Sequence, residues 1–347
     1  MAQRLILSAP QQLALEAYDD QPLQAHEVRL QTLYSGISTG TELTAYYGSS
    51  PHLHKRWDTD RRLFVASEQQ TVDYPVTTWG YEEVGRVIAC GPEVTTVKEN
   101  QLVYGAWGHR THHNVDEDYA QHRLLPPELD PMLGIFSHIG ATALNGVHDA
   151  RIRIGETVAV FGLGVLGQIV AQLAKRSGAY VIGVDLQESR LALASELKAI
   201  DMAINARTSS AAEQIKAATR NRGADVSIEV TGAAPALNEA IRATAYSSKV
   251  VAMGFYQGGA NALLLGEEFH HNRINLVCSQ ISGVAAEASY RWDRIRLGQT
   301  IMRLQAEGSL NLKPLITHIV PFERALAAFD PIIQTPTQTL QVVIDFT

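Results

Sequence analysis

Two cysteines in 347 residues, Cys90 and Cys278, exclude a disulfide framework. No C-x-x-C pair is present, so a thiolate zinc site is excluded too, and this usage fits a reducing cytosol. Long apolar runs are missing. None approaches the roughly 20 residues of a membrane span, and the opening MAQRLILSAPQQ lacks the long apolar region and cleavage pattern of a secretory signal. A cytoplasmic location is therefore expected. Basic charge is scarce: 29 Lys and Arg against 36 Asp and Glu leave a net charge of −7. That argues against nucleic acid or an anionic membrane as the main partner and leaves a small molecule. Internal repeats, low-complexity tracts and Gly/Ser linkers are also lacking. What remains is a chain with 46% hydrophobic and 19% charged residues, typical of a globular protein and long enough for about two domains.

The most informative stretch is 156–185, ETVAVFGLGVLGQIVAQLAKRSGAYVIGVD. A β-rich apolar run at 158–161 precedes Gly162-Leu-Gly164-Val-Leu-Gly167, which has the G-x-G-x-x-G spacing. Val165, Leu166, Ile169, Val170, Leu173 and Ala174 then recur on one face at a 3.6-residue period, and Gly178 closes the helix. A second apolar strand, 180–184, ends at Asp185. The pattern is a complete strand, glycine loop, helix, strand and acid. Gly162 permits the tight turn, Gly164 lets a pyrophosphate approach the backbone, and Gly167 lets the helix pack closely. The helix N-terminus offers unpaired N–H groups and the positive end of its dipole. Asp185 falls roughly 20 residues on, where a carboxylate accepts from a ribose 2′-hydroxyl and repels a 2′-phosphate. The expected cofactor is NAD. Leu163, Val165 and Leu166 are expected to supply backbone contacts and packing around the pyrophosphate, with Arg190 flanking the adenine.

Residues 1–130 read as mostly β, with short strands at 3–8, 27–33, 85–90 and 101–106 punctuated by glycine and proline. The polar stretch 48–80 is long for a loop with little structure of its own. It reads as a solvated surface loop, or as a lid in which Lys55, Arg56, Arg61 or Arg62 meets a polar substrate. The histidine-rich HRTHHNVDED at 109–118 reads as a surface loop, since its adjacent histidines lack regular ligand spacing. From about residue 131, helical and apolar strand patterns alternate, which implies an α/β fold with a doubly wound parallel sheet. Ligands of such sheets lie at the carboxyl ends of strands. Thr231, Gly232, Gly254, Phe255, Tyr256, Ser279 and Gln280 are therefore placed near the cofactor.

This order of segments resembles the medium-chain dehydrogenase/reductase superfamily along nearly the whole chain. The likeness rests on SGISTGTELTAYYG (35–48), GYEEVGRVIACGPEVT (80–95), LKPLITHIVPFERALAAFD (312–330) and the glycine loop. It implies a GroES-like catalytic domain over 1–134 and 282–347 and a Rossmann domain over 135–281. It also implies hydride transfer to nicotinamide and a homodimer or homotetramer, often paired across the strand region 275–283. Zinc members hold the metal with Cys, His and a third ligand. The matching positions here are Ser38 or Thr39, then Tyr81, then His138, and the four-cysteine structural zinc loop is missing. No metal is expected. The Tyr81 phenol is expected in the cleft as a proton donor, or as an acceptor if its pKa is lowered. Thr41 matches the family's proton-relay hydroxyl, Glu42 and Glu82 match acidic positions behind the metal, and His138 is a candidate general acid/base. ISTGTE, GYE-x-VGRV, GFY, EFHHNRINLVCSQ and LITH are similar to bacteriochlorophyllide a dehydrogenases and relatives. The resemblance thus implies a zinc-free, NAD-dependent dehydrogenase of a secondary alcohol; the polar, histidine- and arginine-rich loops fit a sugar or polyol derivative as its substrate, with a larger ring such as a chlorophyllide as an alternative. A zinc-free quinone or enone reductase and a non-catalytic NAD-binding protein are the other classes.

Overall fold

Runs of Val, Ile and Ala in the second half of the chain form strands buried on both faces, and the amphipathic segments between them form the helices that cover those faces. The computed structural model describes residues 2–66, 72–257 and 259–347. The chain divides into two compact units, one of residues up to His138 with Lys313–Thr347, the other Ile139–Leu312.

In chain order the main elements are β1 (Ala2–Ala9), β2 (Gln12–Tyr18), β3 (Glu27–Ile37), α1 (Glu42–Tyr46), β4 (Arg56–Asp58), β5 (Leu63–Val65), β6 (Glu83–Cys90), β7 (Leu102–Gly105), β8 (His112–Asp116), α2 (Glu117–Gln121) and α3 (Phe136–Ala150). Then follow β9 (Thr157–Phe161), α4 (Val165–Arg176), β10 (Tyr180–Asp185), α5 (Glu188–Glu196), β11 (Met202–Asn205), α6 (Ala211–Ala218), β12 (Ala224–Glu229), α7 (Ala234–Ala243), β13 (Thr244–Ala252), β14 (Asn275–Cys278), α8 (Arg294–Ala306), β15 (Ile316–Pro321) and β16 (Gln341–Asp345).

The second unit holds a six-stranded parallel sheet in the order β11-β10-β9-β12-β13-β14. This is the doubly wound order, and the reversal between β9 and β12 opens a crevice at their carboxyl ends. The expected α/β fold is what the structure has. In the first unit β15-β16-β3-β6-β7 form a sheet that β8 joins through β3. Its core includes Leu5, Leu7, Ile37, Phe322, Val342 and Ile344, and Trp79 stacks on Phe329 at 5.1 Å.

Three sequence expectations change. The return to the first unit comes at Lys313 rather than at residue 282. The reason is packing: Leu297, Ile301 and Met302 of α8 are buried, Ile301 lies against Gly140, and Asn311 exchanges two hydrogen bonds with the Gln172 amide. The stretch 109–118 is not a surface loop. His109 is buried at 1% exposure, and His112–Asp116 form β8 on β3. The polar stretch 48–80 contains the hairpin β4–β5, where Asp58 lies 3.7 Å from Arg56 and 3.9 Å from Arg61; residues 67–71 of that stretch are outside the described residues.

Candidate active site

The cofactor loop is built where β9 turns into α4. Gly162 has φ +94°, the left-handed region that favours glycine. A Cβ on Gly167 would sit 1.8 Å from the Gly162 carbonyl oxygen, so only glycine allows α4 to start this close to the strand. Gly164, by contrast, has open space in front of it, with the Arg190 guanidinium the nearest group at 4.0 Å from a built Cβ. A tight turn, a close helix and an open backbone face together fit the pyrophosphate of a dinucleotide at a helix N-terminus. Buried Gln168 braces the loop, its amide donating to the Leu163 carbonyl at 3.2 Å and to the Arg190 carbonyl at 2.8 Å. Leu163 is buried in the core, while Val165 and Leu166 are half-buried at the helix start.

Asp185 closes β10 as expected. Its carboxylate accepts from Leu163 N at 2.6 Å and Gln187 N at 2.8 Å, which fixes the glycine loop itself. Each oxygen keeps a second lone pair for a hydroxyl donor.

Thr231 lies directly beside the loop, its Cγ2 2.4 Å from a built Cβ on Gly162. Gly232 in turn touches Gly254 and Phe255. The group that ties these segments is one the sequence reading passed over, Glu229. This buried carboxylate accepts from Thr231 N at 2.6 Å, Gly232 N at 3.4 Å, the Thr231 hydroxyl and the Tyr256 hydroxyl. Burial raises its pKa despite those donors. Its signal in the sequence was an acid at the carboxyl end of the strand-like run 224–230, ADVSIEV, just before Thr231-Gly232. Ser279 and Gln280 sit one strand further out. Ser279 is buried with the Asn145 amide 3.5 Å away, and Gln280 is exposed with its amide oxygen on Ser282 N at 2.6 Å.

In the first unit the structure gathers the expected catalytic residues. Tyr81 donates its phenol proton to the Ser38 hydroxyl, with Thr41 as a further hydroxyl partner. The His138 ring stands 4.6 Å from the Tyr81 ring, tilted by 54°. Glu82 is fully buried, and the Gln341 amide donates to it at 3.1 Å. Burial and the Glu82 charge raise the Tyr81 pKa, the Ser38 and Thr41 hydrogen bonds offsetting only part of this. The condition for Tyr81 as a proton acceptor, a lowered pKa, is thus not met. Tyr81 is a neutral phenol and a donor.

Behind these residues lies a polar network that the sequence reading did not anticipate. Glu42 accepts from Ser38 N at 2.8 Å and meets His109 Nε2 at 2.9 Å. His109 Nδ1 lies 2.7 Å from the Ser35 hydroxyl, which donates to Glu83 at 3.0 Å, and Glu83 also accepts from Trp107 N at 2.7 Å. Burial alone lowers the His109 pKa, but the Glu42 and Glu83 carboxylates outweigh it and the net shift is upward. Glu82 and Glu83 are both raised, first by burial.

A parallel sheet in the doubly wound order, a glycine loop shaped for a pyrophosphate and a separate β-rich unit with a phenol–hydroxyl–imidazole cluster define a two-domain nicotinamide dehydrogenase. The zinc-binding dehydrogenase family matches residues 165–294, and the chain is 31% identical to D-guloside 3-dehydrogenase of Escherichia coli K12 over 99% of both chains. The chain belongs to the zinc-binding dehydrogenases of the medium-chain dehydrogenase/reductase superfamily. It is 25% identical to (R,R)-butanediol dehydrogenase of Bacillus subtilis over 88% of each chain. Two solved structures share the fold over 99% of both chains with TM-scores of 0.78. One is a zinc-binding dehydrogenase of Sinorhizobium meliloti bound to NADP, at 19% identity. The other is an alcohol dehydrogenase of Escherichia coli complexed with NADH, at 18% identity.

The family name implies zinc, and the side chains present do not fit it. A catalytic zinc wants three nitrogen, sulfur or carboxylate ligands. The matching positions supply one imidazole, a neutral phenol and the hydroxyl that phenol already bonds. Among the described residues, no three His, Cys, Asp or Glu side chains gather as a metal set. No helix of the described residues is long and apolar enough to cross a membrane.

Proposed function

We propose that this chain is a cytoplasmic, zinc-independent, NAD-dependent dehydrogenase acting on a secondary hydroxyl of a sugar derivative. The observation that carries this is the Tyr81 phenol, held by Ser38 and beside His138, at a position where zinc relatives keep a ligand. The relative named for a D-guloside supports a glycoside over a larger ring system. Asp185 supports NAD over NADP, because a carboxylate at the end of this strand accepts from a ribose 2′-hydroxyl and repels a 2′-phosphate.

In the proposed reaction the neutral phenol of Tyr81 turns its one proton from the Ser38 hydroxyl to the substrate oxygen, and the Ser38 hydroxyl then donates to the phenol oxygen. His138 accepts the hydroxyl proton, for which an imidazole is suited near neutral pH. Thr41 and Ser38 hold the phenol, and Glu82 and Glu42 keep the pocket behind it polar. Bound nicotinamide supplies the hydride acceptor. In the reverse direction the same groups return the proton to the carbonyl oxygen. A homodimer or homotetramer is the proposed assembly, supported by β14, which ends its sheet with exposed residues.

The test is nicotinamide absorbance with a panel of glycosides, free sugars, polyols, sugar phosphates and quinones, run with NAD and NADP, with and without chelator. Chelator-resistant reduction of NAD by a glycoside or polyol is expected. Oxidation of NADPH by quinones with silent alcohols would overturn the assignment, and chelator-sensitive turnover would overturn zinc independence.

A further inference from the structure

We infer that His109 is the positioning residue of the Tyr81 phenol, acting through Gly80 and through the Glu42–Ser38 link. This rests on the reading of Tyr81 as the residue that meets the substrate oxygen. His109 is 1% exposed, yet both ring nitrogens are engaged, Nε2 by Glu42 at 2.9 Å and Nδ1 by Ser35 at 2.7 Å. Ser35 in turn bonds Glu83 at 3.0 Å, so each edge of the ring is tied to a carboxylate, directly on the Glu42 side and through one hydroxyl on the Glu83 side. An imidazole bonded at both edges is fixed in orientation, not only in place. A buried histidine serving the core alone does not need to sit between two carboxylates whose burial is costly.

Two physical paths lead from this ring to the phenol. The first is steric. Gly80 has φ +90°, and a Cβ on it would lie 2.7 Å from His109 Cε1, so the ring lies flush against the residue that precedes Tyr81. Trp79, on the other side of that glycine, meets the ring edge-on at 5.6 Å. The second path is polar. Glu42 bonds His109 with one oxygen and the Ser38 amide with the other, and the Ser38 hydroxyl receives the phenol proton. Shifting the imidazole therefore moves both the backbone that carries Tyr81 and the hydroxyl that aims it. The network is continuous from Trp107 N through Glu83, Ser35, His109, Glu42 and Ser38 to Tyr81. It joins a segment after β7 to the loop before β6, two places that neither spacing nor motif connects.

The experiment is a double-mutant cycle between His109→Gln and Tyr81→Phe, with kcat and KM measured on the full chain using whichever alcohol the panel identifies. Glutamine keeps a donor for Glu42 but not the flat ring against Gly80. If His109 works by aiming the phenol, His109→Gln lowers kcat by about tenfold or more, the scale of an ångström-sized misplacement. KM values for NAD and alcohol stay within about twofold, and the second substitution adds nothing once Tyr81 is phenylalanine. Equal losses in both backgrounds, or no loss, overturn the inference. Glu42→Gln, isosteric but with one acceptor oxygen in place of two, breaks either the Ser38 N link or the ring link and gives a second cycle with the same expectation if His109→Gln does not fold. Wild-type turnover of Tyr81→Phe itself sinks the reading of Tyr81, an outcome separate from an additive cycle in which Tyr81→Phe is impaired.

Discussion

Gly167→Ala tests the cofactor loop most directly. The new methyl group would start 1.8 Å from the Gly162 carbonyl oxygen, a backbone atom that cannot rotate away. Ordinary contact needs about 3.4 Å, so the start of α4 must move by roughly 1.5 Å or the strand end must give, an overpacking cost of about 1–3 kcal/mol. For a unit the size of Ile139–Leu312, each kcal/mol is worth about 2–4 °C, so the thermal midpoint should fall by roughly 2–12 °C. The same shift carries the unpaired N–H groups of the α4 N-terminus away from the pyrophosphate. Losing one charge-assisted hydrogen bond there, about 1.5–3 kcal/mol, weakens NAD about ten- to hundredfold. Differential scanning fluorimetry without NAD and quenching of protein fluorescence by NADH read the two effects separately. A variant with wild-type midpoint and wild-type NADH affinity would refute the placement of α4 against β9 and the pyrophosphate assignment together. A lower midpoint with unchanged affinity would refute the assignment alone.

Asp185→Ala should weaken NAD and narrow the NAD/NADP ratio, and it should also loosen the loop, since Leu163 N and Gln187 N lose their acceptor; unchanged cofactor preference in steady-state kinetics would remove the ribose role. Tyr81→Phe should lower kcat about a hundredfold, within the usual range for a positioned proton-transfer group, with the NAD KM unchanged. Glu82→Gln should raise the thermal midpoint at pH 7–8 and have little effect near pH 4. The sign follows from linkage: the folded pKa of Glu82 lies above its unfolded value, so its stability contribution is full below the unfolded pKa and is lost as pH rises through the folded one. A midpoint lowered equally at both pH values would show instead that Glu82 acts through its hydrogen bond from Gln341 and not through its charge. Glu229→Gln should raise the KM for NAD with little change in kcat, because the Thr231–Gly232 turn and Tyr256 share that carboxylate; an unaffected KM would detach those segments from the cofactor.

The alternation of 156–185 was enough to place β9, α4 and β10, because glycine spacing, helical period and strand composition are local properties that agree with one another. The ends of β12 and β13 were legible for the same reason, and Tyr81, His138 and Thr41 were reached through resemblance to a metal site. The weaker readings were those in which a residue's role is set by a distant partner. His109 sits in a polar, histidine-rich run that reads as solvated, and only the pairing of β8 with β3 and the approach of Glu42 and Glu83 bury it. Glu229 looks like a strand residue until the turn after β12 and the loop after β13 converge on it. The helix α8 joins the second unit because its apolar face meets Gly140, a contact between residues far apart in the chain. The sequence alone determined the dinucleotide unit and the superfamily, through period and spacing. The tertiary structure decided which way the Tyr81 pKa moves, which carboxylates share a buried histidine and where the chain crosses back, because burial and the fields of charged neighbours exist only once distant segments pack.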